Sequence, residues 1–321
     1  MRVAILDTVH PVLKKRLIEN GFDCEEYLLL SRKEIEQGQL KHIQGIVLRS
    51  RIRIDAQLLN AMPQLQWIAR SGSGLENINL QAAKSRDIRV YNSPEGNSDA
   101  VGEHVLGMLL MIMHKLRSCD KSVHDKVWER EKHRGMELGN KTVGIIGYGV
   151  MGKALATKLR GIGCKIIAYD KYTSGFSDEY VTEVTEEAFF RRSEIVSVHL
   201  PLTDETNGLV DSTWLARFSH PFIFINSSRG SVVKTKDLLD ALDANQVTAC
   251  GLDVLEFEGR SLEGLTSMGT TDAQKTMTRL LESPNVILSP HVAGWTTESY
   301  FKLSNFLADK ILNDFCACRQ R

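Results

Sequence analysis

The chain has 321 residues, 42% hydrophobic and 25% charged, with 40 basic against 40 acidic side chains. That length suits about two domains, and the balanced charge, with no run of five like charges, excludes the basic footprint of a nucleic-acid binder. The longest apolar stretch, Val105 to Met113, falls far short of the ~20 residues of a membrane helix. The N-terminus lacks the apolar core and cleavage site of a signal peptide. Six cysteines (24, 119, 164, 250, 316 and 318) form no CxxC pair, which predicts reduced thiols in a cytoplasmic protein and no bound metal.

Short apolar runs recur along the chain at 3–6, 45–48, 67–69 and 89–91, then at 142–146, 165–169, 194–199, 222–226, 249–254 and 285–288. Helix-like segments separate most of them, which predicts α/β architecture with mostly parallel sheets covered on both faces. Between the two sets, Val101, Val105, Met108, Leu109, Ile112 and Leu116 repeat at helical spacing. They predict one helix from Asp99 to Arg117 with Ser98 as N-cap. The expected domains are 1–98 plus 297–321, and 99–296, with a last helix over 298–316.

The sharpest motif is GYGVMG, from Gly147 through Val150 and Met151 to Gly152. A strand-like KTVGII precedes it, a helix-like MGKALATKLRGI follows, and KIIAY then ends at Asp170, 18 residues after Gly152. This is the complete dinucleotide fingerprint. Gly147 permits the tight turn, Gly149 lets a pyrophosphate approach the backbone, and Gly152 lets the helix pack close. Asp170 would accept from ribose hydroxyls and repel a 2′-phosphate, favouring NAD, while Lys171 tempers that preference.

Chemistry at a carbonyl beside a nicotinamide needs a cation, a proton donor and a carboxylate partner for that donor. Arg229 in INSSRGSVV, Glu258 in GLDVLEFEG and His291 in NVILSPHVAGWT each follow a successive predicted strand, where ligands of open α/β sheets bind.

With these blocks, RSGSGLENIN (70–79), VYNSPEGNSDAVGEH (90–104), ELGNKTVGIIGYGVMG (137–152) and VSVHLPLTDETNGLV (196–210), the sequence resembles the D-isomer-specific 2-hydroxyacid dehydrogenases. The resemblance implies a flavodoxin-like substrate domain and an NAD-binding Rossmann domain with a cleft between them, commonly as a homodimer. It implies that Arg229 binds the 2-oxo and carboxylate oxygens, that His291 is the acid/base, and that Glu258 raises the histidine pKa. Asp253 would hold the nicotinamide amide, and Pro201 and Thr206 would line the adenosine side. Ser228, His291 and Gly294 would also lie along the cofactor. The backbone of Ser71, Gly72, Ser73 and Gly74 would meet the substrate carboxylate. Two departures stand out: Gly259 replaces the family's usual proline after the glutamate, and 260–275 is longer than usual.

For the substrate, Arg49, Arg51 and Arg53 alternate, so in an extended chain they share a face, and Arg70 opens the substrate loop. Arginines suit a phosphate. LRSR and GNS also resemble D-3-phosphoglycerate dehydrogenases, here in a short form without a regulatory domain, which implies serine biosynthesis. The alternatives are a glyoxylate/hydroxypyruvate reductase, a D-lactate-type enzyme, or an NAD-sensing binding protein resembling the C-terminal-binding-protein corepressors.

Overall fold

The computed structural model describes residues 1–259 and 271–316. Two compact units are present: Met1–Ser98 with the chain from Trp295 onward, and Asp99–Gly294.

The first unit runs β1 (Arg2–Ile5), α1 (Pro11–Glu19), β2 (Asp23–Glu26), α2 (Arg32–Glu36), β3 (Gly45–Leu48), α3 (Ala56–Asn60), β4 (Trp67–Arg70), α4 (Leu80–Lys84) and β5 (Arg89–Tyr91). Its strands pair in parallel in the order β2-β1-β3-β4-β5, the flavodoxin-like doubly wound order. β3 and β4 are buried at every position because both sheet faces are covered, which is why 45–48 and 67–69 read as unbroken apolar runs. Gly45 is required where it stands, since a Cβ there would lie 2.1 Å from the Trp67 ring. The helices start on local side-chain caps; Ser31 and Glu34 form a capping box on α2.

The second unit contains α5 (Ser98–Met113), α6 (Leu116–His124), β6 (Thr142–Ile146), α7 (Val150–Leu159), β7 (Lys165–Tyr169), β8 (Val181–Glu183), α8 (Glu186–Arg192) and β9 (Ile195–Val198). It continues through α9 (Ser212–Leu215), β10 (Phe222–Asn226), α10 (Thr235–Asp243), β11 (Val247–Leu252), α11 (Thr271–Glu282) and β12 (Val286–Leu288). Seven parallel strands lie in the order β12-β11-β10-β9-β6-β7-β8, a Rossmann order extended by one strand. One core packs Val105, Leu109 and Leu155 against the sheet, and another packs Phe189, Trp214, Phe224 and Leu238. The final helix α12 (Thr297–Cys316) belongs to the first unit, where Leu307, Ala308 and Ile311 join Val3, Ile5, Leu17 and Trp67. Among the described residues no helix is long and apolar enough to cross a membrane.

The structure corrects several expectations. The single helix over 99–117 ends at Met113, because Lys115 takes a left-handed φ of 52° and α6 begins in a new direction. Leu116 is thereby taken out of the apolar seam and is half exposed. Ser98 lies within α5, not before it, and its hydroxyl donates back to the Glu95 carbonyl. Two further strands, β2 (DCEE) and β8 (VTE), are marked by no apolar run. Of the long polar segment 260–275, residues 271–275 are the first turn and more of α11, and the rest lies outside the described residues.

Candidate active site

Because every strand of the second unit runs parallel, the segments after β6, β7, β9, β10, β11 and β12 leave the same edge of the sheet. That edge carries the glycine turn, Asp170, Pro201, Arg229, Asp253 and His291. The strand order reverses between β6 and β9, the position where such sheets bind nucleotides.

The glycine turn meets the physical demands set by its sequence. Gly147 has φ of +87°, open to glycine without strain. A Cβ at Gly152 would lie 2.3 Å from the Gly147 carbonyl oxygen, whereas one at Gly149 would meet nothing within 4 Å. The turn is therefore tight at its two ends and open in its middle, above the N-terminus of the ten-residue α7 that begins with Val150 and Met151. Such a cradle fits a pyrophosphate. Asp170 accepts from the backbone N–H groups of Tyr148 (2.8 Å), Tyr172 (2.9 Å) and Thr173 (2.9 Å). Burial opposes its charge, but these donors outweigh it and hold its pKa below the usual carboxylate range. The neighbouring Lys171 is paired with Glu205, which also accepts from the Tyr172 hydroxyl. The 201–206 turn is closed by the Thr206 hydroxyl donating to the Pro201 carbonyl at 2.6 Å.

After β10, Asn226 organises the arginine loop. Its Oδ1 accepts from the backbone N–H and hydroxyl of Ser228, its Nδ2 donates to the Arg229 carbonyl, and the Arg229 guanidinium donates to the Ser228 carbonyl at 2.6 Å. Gly230 is obligatory, since a Cβ there would lie 1.9 Å from the Leu255 carbonyl oxygen.

His291 Nδ1 lies 2.8 Å from Glu258 Oε2, with both side chains largely buried. Glu258 Oε1 accepts from the Leu255 N–H, so Gly259 in place of proline leaves this carboxylate seated. His291 has φ of +55°, a left-handed conformation that costs a non-glycine residue ~1–3 kcal/mol and persists only where its surroundings impose it. Asp253 imposes it. Its carbonyl accepts from His291 N–H at 2.7 Å, and its carboxylate accepts from Val292 and Ala293 N–H at 2.9 Å each. Gly294 follows directly. Asp253 is 1% exposed, and this clamp on the histidine loop is a role that its sequence neighbourhood did not announce. His104, Ser289 and His199 also gather at these loops and carry no motif of their own.

In the first unit, the arginine set does not form the shared face expected of it. β3 ends at Leu48, so residues 49–53 leave the extended conformation in which alternate side chains share a face. Arg51 is spent on the protein, paired with Asp7 at 2.9 Å and donating to the Leu6 and Leu30 carbonyls. Arg70 is 8% exposed and braces the loop through the Arg49 and Gly74 carbonyls. The Ser71 N–H is spent on the Leu48 carbonyl, so among Ser71–Gly74 it is not a donor to an anion. The Ser73 hydroxyl donates to Asn97 at 2.6 Å. Arg49 lies 4.2 Å over the Trp295 ring.

The model of the D-isomer specific 2-hydroxyacid dehydrogenase NAD binding domain matches residues 106–293. The chain belongs to the D-isomer specific 2-hydroxyacid dehydrogenase family. This family's NAD binding domain thus coincides with the Rossmann unit, and its cofactor is the one the glycine cradle fits. The chain is 31% identical over 98% of its length to a D-3-phosphoglycerate dehydrogenase of Archaeoglobus fulgidus, and 30% identical over 96% to that of Homo sapiens. It spans 57% and 55% of those relatives' lengths, respectively. A D-lactate dehydrogenase structure from Aquifex aeolicus, complexed with NAD and lactic acid, shares the fold at a TM-score of 0.81 and 24% identity, covering 99% of this chain and 96% of that one.

Proposed function

We propose that the protein is an oxidoreductase interconverting a D-2-hydroxy acid and its 2-oxo acid, and that its preferred 2-oxo acid is 3-phosphohydroxypyruvate. The observation that carries the reaction class is the His291–Glu258 pair at 2.8 Å, on the same sheet edge as the open glycine cradle of a family defined by NAD binding. When bound, NAD(H) supplies or removes the hydride at C2. The carboxylate of Glu258 accepts the Nδ1 proton, which leaves Nε2 of His291 to deliver or take the proton of the C2 oxygen. Arg229, presented by the Asn226–Ser228 loop, holds the carboxylate and carbonyl oxygens and polarises the C=O bond. Asp253 keeps the histidine loop in its strained conformation, and its nicotinamide contact is part of the same proposal, as are those of Ser228 and Gly294. Asp170 binds the ribose, with Pro201 and Thr206 beside the adenosine. The N–H groups of Gly72, Ser73 and Gly74 remain as the loop's donors to a substrate carboxylate.

Support for the phosphorylated substrate, and so for a place in serine biosynthesis, comes from the two relatives named above and from Arg49. The commitment of Arg51 and Arg70 to the protein favours the other reading, a glyoxylate or hydroxypyruvate reductase. Comparison of kcat/KM for phosphorylated and plain hydroxypyruvate separates them. One arginine–phosphate contact, at ~1.5–3 kcal/mol, gives the phosphorylated acid roughly a ten- to hundredfold advantage that Arg49→Ala removes. A wild type that prefers the plain acids refutes the phosphate assignment.

We also propose a homodimer in a reducing, cytoplasmic setting, in which Cys24, Cys119, Cys164 and Cys250 stay free, as they are in the structure. α6 buries no residue, and Leu116, Val123, Trp128 and Met136 are exposed around it, Trp128 by 79%. An apolar surface of this kind suits a second copy. Light scattering should give twice the chain's 36.0 kDa, and Trp128→Glu should shift it to the single mass.

A further inference from the structure

We propose that His104 is a positioning residue for His291, acting through Ser289 and Asp253; this rests on the dehydrogenase reading above. His104 projects from α5, and its Nε2 lies 2.9 Å from Ser289 Oγ. Ser289 Oγ lies 2.6 Å from Asp253 Oδ1. The same carboxylate accepts from the Val292 and Ala293 N–H groups, and the Asp253 carbonyl accepts from His291 itself. A chain of hydrogen bonds thus runs from a helix through two strand ends to the strained loop.

The direction of each bond follows from the donor inventory. Both carboxylate oxygens of Asp253 act as acceptors, so the one proton of the Ser289 hydroxyl points at Oδ1. With that proton used, Ser289 Oγ can only accept from His104, whose imidazole therefore carries its proton on Nε2. His104 Nε2 is also 3.6 Å from Asp253 Oδ1, so its N–H dipole stands behind the Ser289 hydroxyl on a carboxylate that is 1% exposed. Rotation of that carboxylate would release one of its two N–H partners, and the left-handed turn at His291 with it. His104 and Ser289 fix the rotation. The polar partners of His104 among the described residues are Ser289 and Asp253, so its influence on His291 passes through the loop.

The test uses the full chain labelled with ¹⁵N-histidine, with and without NADH, alongside steady-state kinetics. The imidazole spectrum should show His104 as the Nε2–H tautomer in the wild type, and Ser289→Ala should abolish that fixed tautomer. The His291 resonances should move in His104→Phe and stay in His104→Gln, whose side-chain amide still donates to Ser289 Oγ. Small misplacement of a reacting group costs up to ~10²-fold, so His104→Phe and Ser289→Ala should each lower kcat by roughly ten- to a hundredfold. The double variant should fall no further than either alone, and His104→Gln should stay within about threefold of wild type on the same basis. An Nδ1–H tautomer in the wild type, unmoved His291 resonances in His104→Phe, or additive losses would each overturn the proposal. If the wild type turns over no 2-oxo acid, the dehydrogenase reading fails, and the spectra alone then decide the relay.

Discussion

The imidazole Nδ1 of His291 and the Oε2 of Glu258 stand 2.8 Å apart across 33 residues of sequence. The first follows β12 and the second follows β11, and these strands are hydrogen-bonded neighbours, with Leu252 level with Leu288. Sheet register therefore brings the pair together, and Asp253 holds the turn that aims the histidine. His291→Ala should lower kcat by ~10²–10⁴-fold while NADH binding, read by fluorescence titration, survives. Glu258→Gln should cost less, since an amide oxygen can still accept from Nδ1 but carries no charge opposite the imidazolium. Loss of NADH affinity equal to the loss of kcat in His291→Ala would show a role in holding the cofactor and not in moving a proton.

Cofactor preference should follow Asp170. Its carboxylate is held ionised by three backbone donors, so a 2′-phosphate meets a fixed negative charge. Lys171, whose position would temper this, is paired with Glu205 on the surface. The wild type should use NADH well in preference to NADPH. Asp170→Ala should narrow the ratio of kcat/KM, and Asp170→Ala with Glu205→Gln should narrow it further by releasing Lys171. Equal efficiency with both cofactors in the wild type would contradict this.

Acid stability should depend on His199. Burial pushes its pKa down from 6.5 to about 4, and its Nδ1 is buried without a hydrogen-bond partner among the described residues. The folded state thus binds the proton less readily than the unfolded state. The stability contributed is complete above pH 6.5 and is lost as the pH falls from there to about 4. The slope in that window is about 1.4 kcal/mol per pH unit. Urea unfolding of the unliganded protein at a series of pH values should show this slope, and His199→Gln should flatten it relative to wild type. An identical pH dependence in the two proteins would remove His199 from the account.

The fold was legible where burial is complete. β6, β7 and β10 coincide with apolar runs because interior parallel strands hide both faces, so nothing polar interrupts them. β2 and β8 escaped because they lie at sheet edges and bury one residue each, leaving DCEE and VTE to read as loop. The end of α5 had no glycine or proline to mark it; the break rests on Lys115, whose left-handed turn is a tertiary choice. The arginine face failed for a related reason. Alternation places side chains together only in a strand, and the strand stops at Leu48 before Arg49. The glycine turn, Arg229, Glu258 and His291 could be marked because each has a local motif. The clamp on His291 could not, since Asp253 and Ser289 meet through the register of β11 with β12 and His104 reaches them from the separate helix α5.

Reduction of 2-oxo acids with NADH, with His291 as the proton donor, can be measured directly. The most direct measurement follows reduced-nicotinamide absorbance for the wild type and His291→Ala against a panel of 2-oxo acids, with the product resolved on a chiral column. One D-2-hydroxy acid should form per NADH consumed by the wild type, with near-complete loss of that turnover in the variant. Tight NADH binding with no turnover of any acid, or an L-configured product, would contradict it.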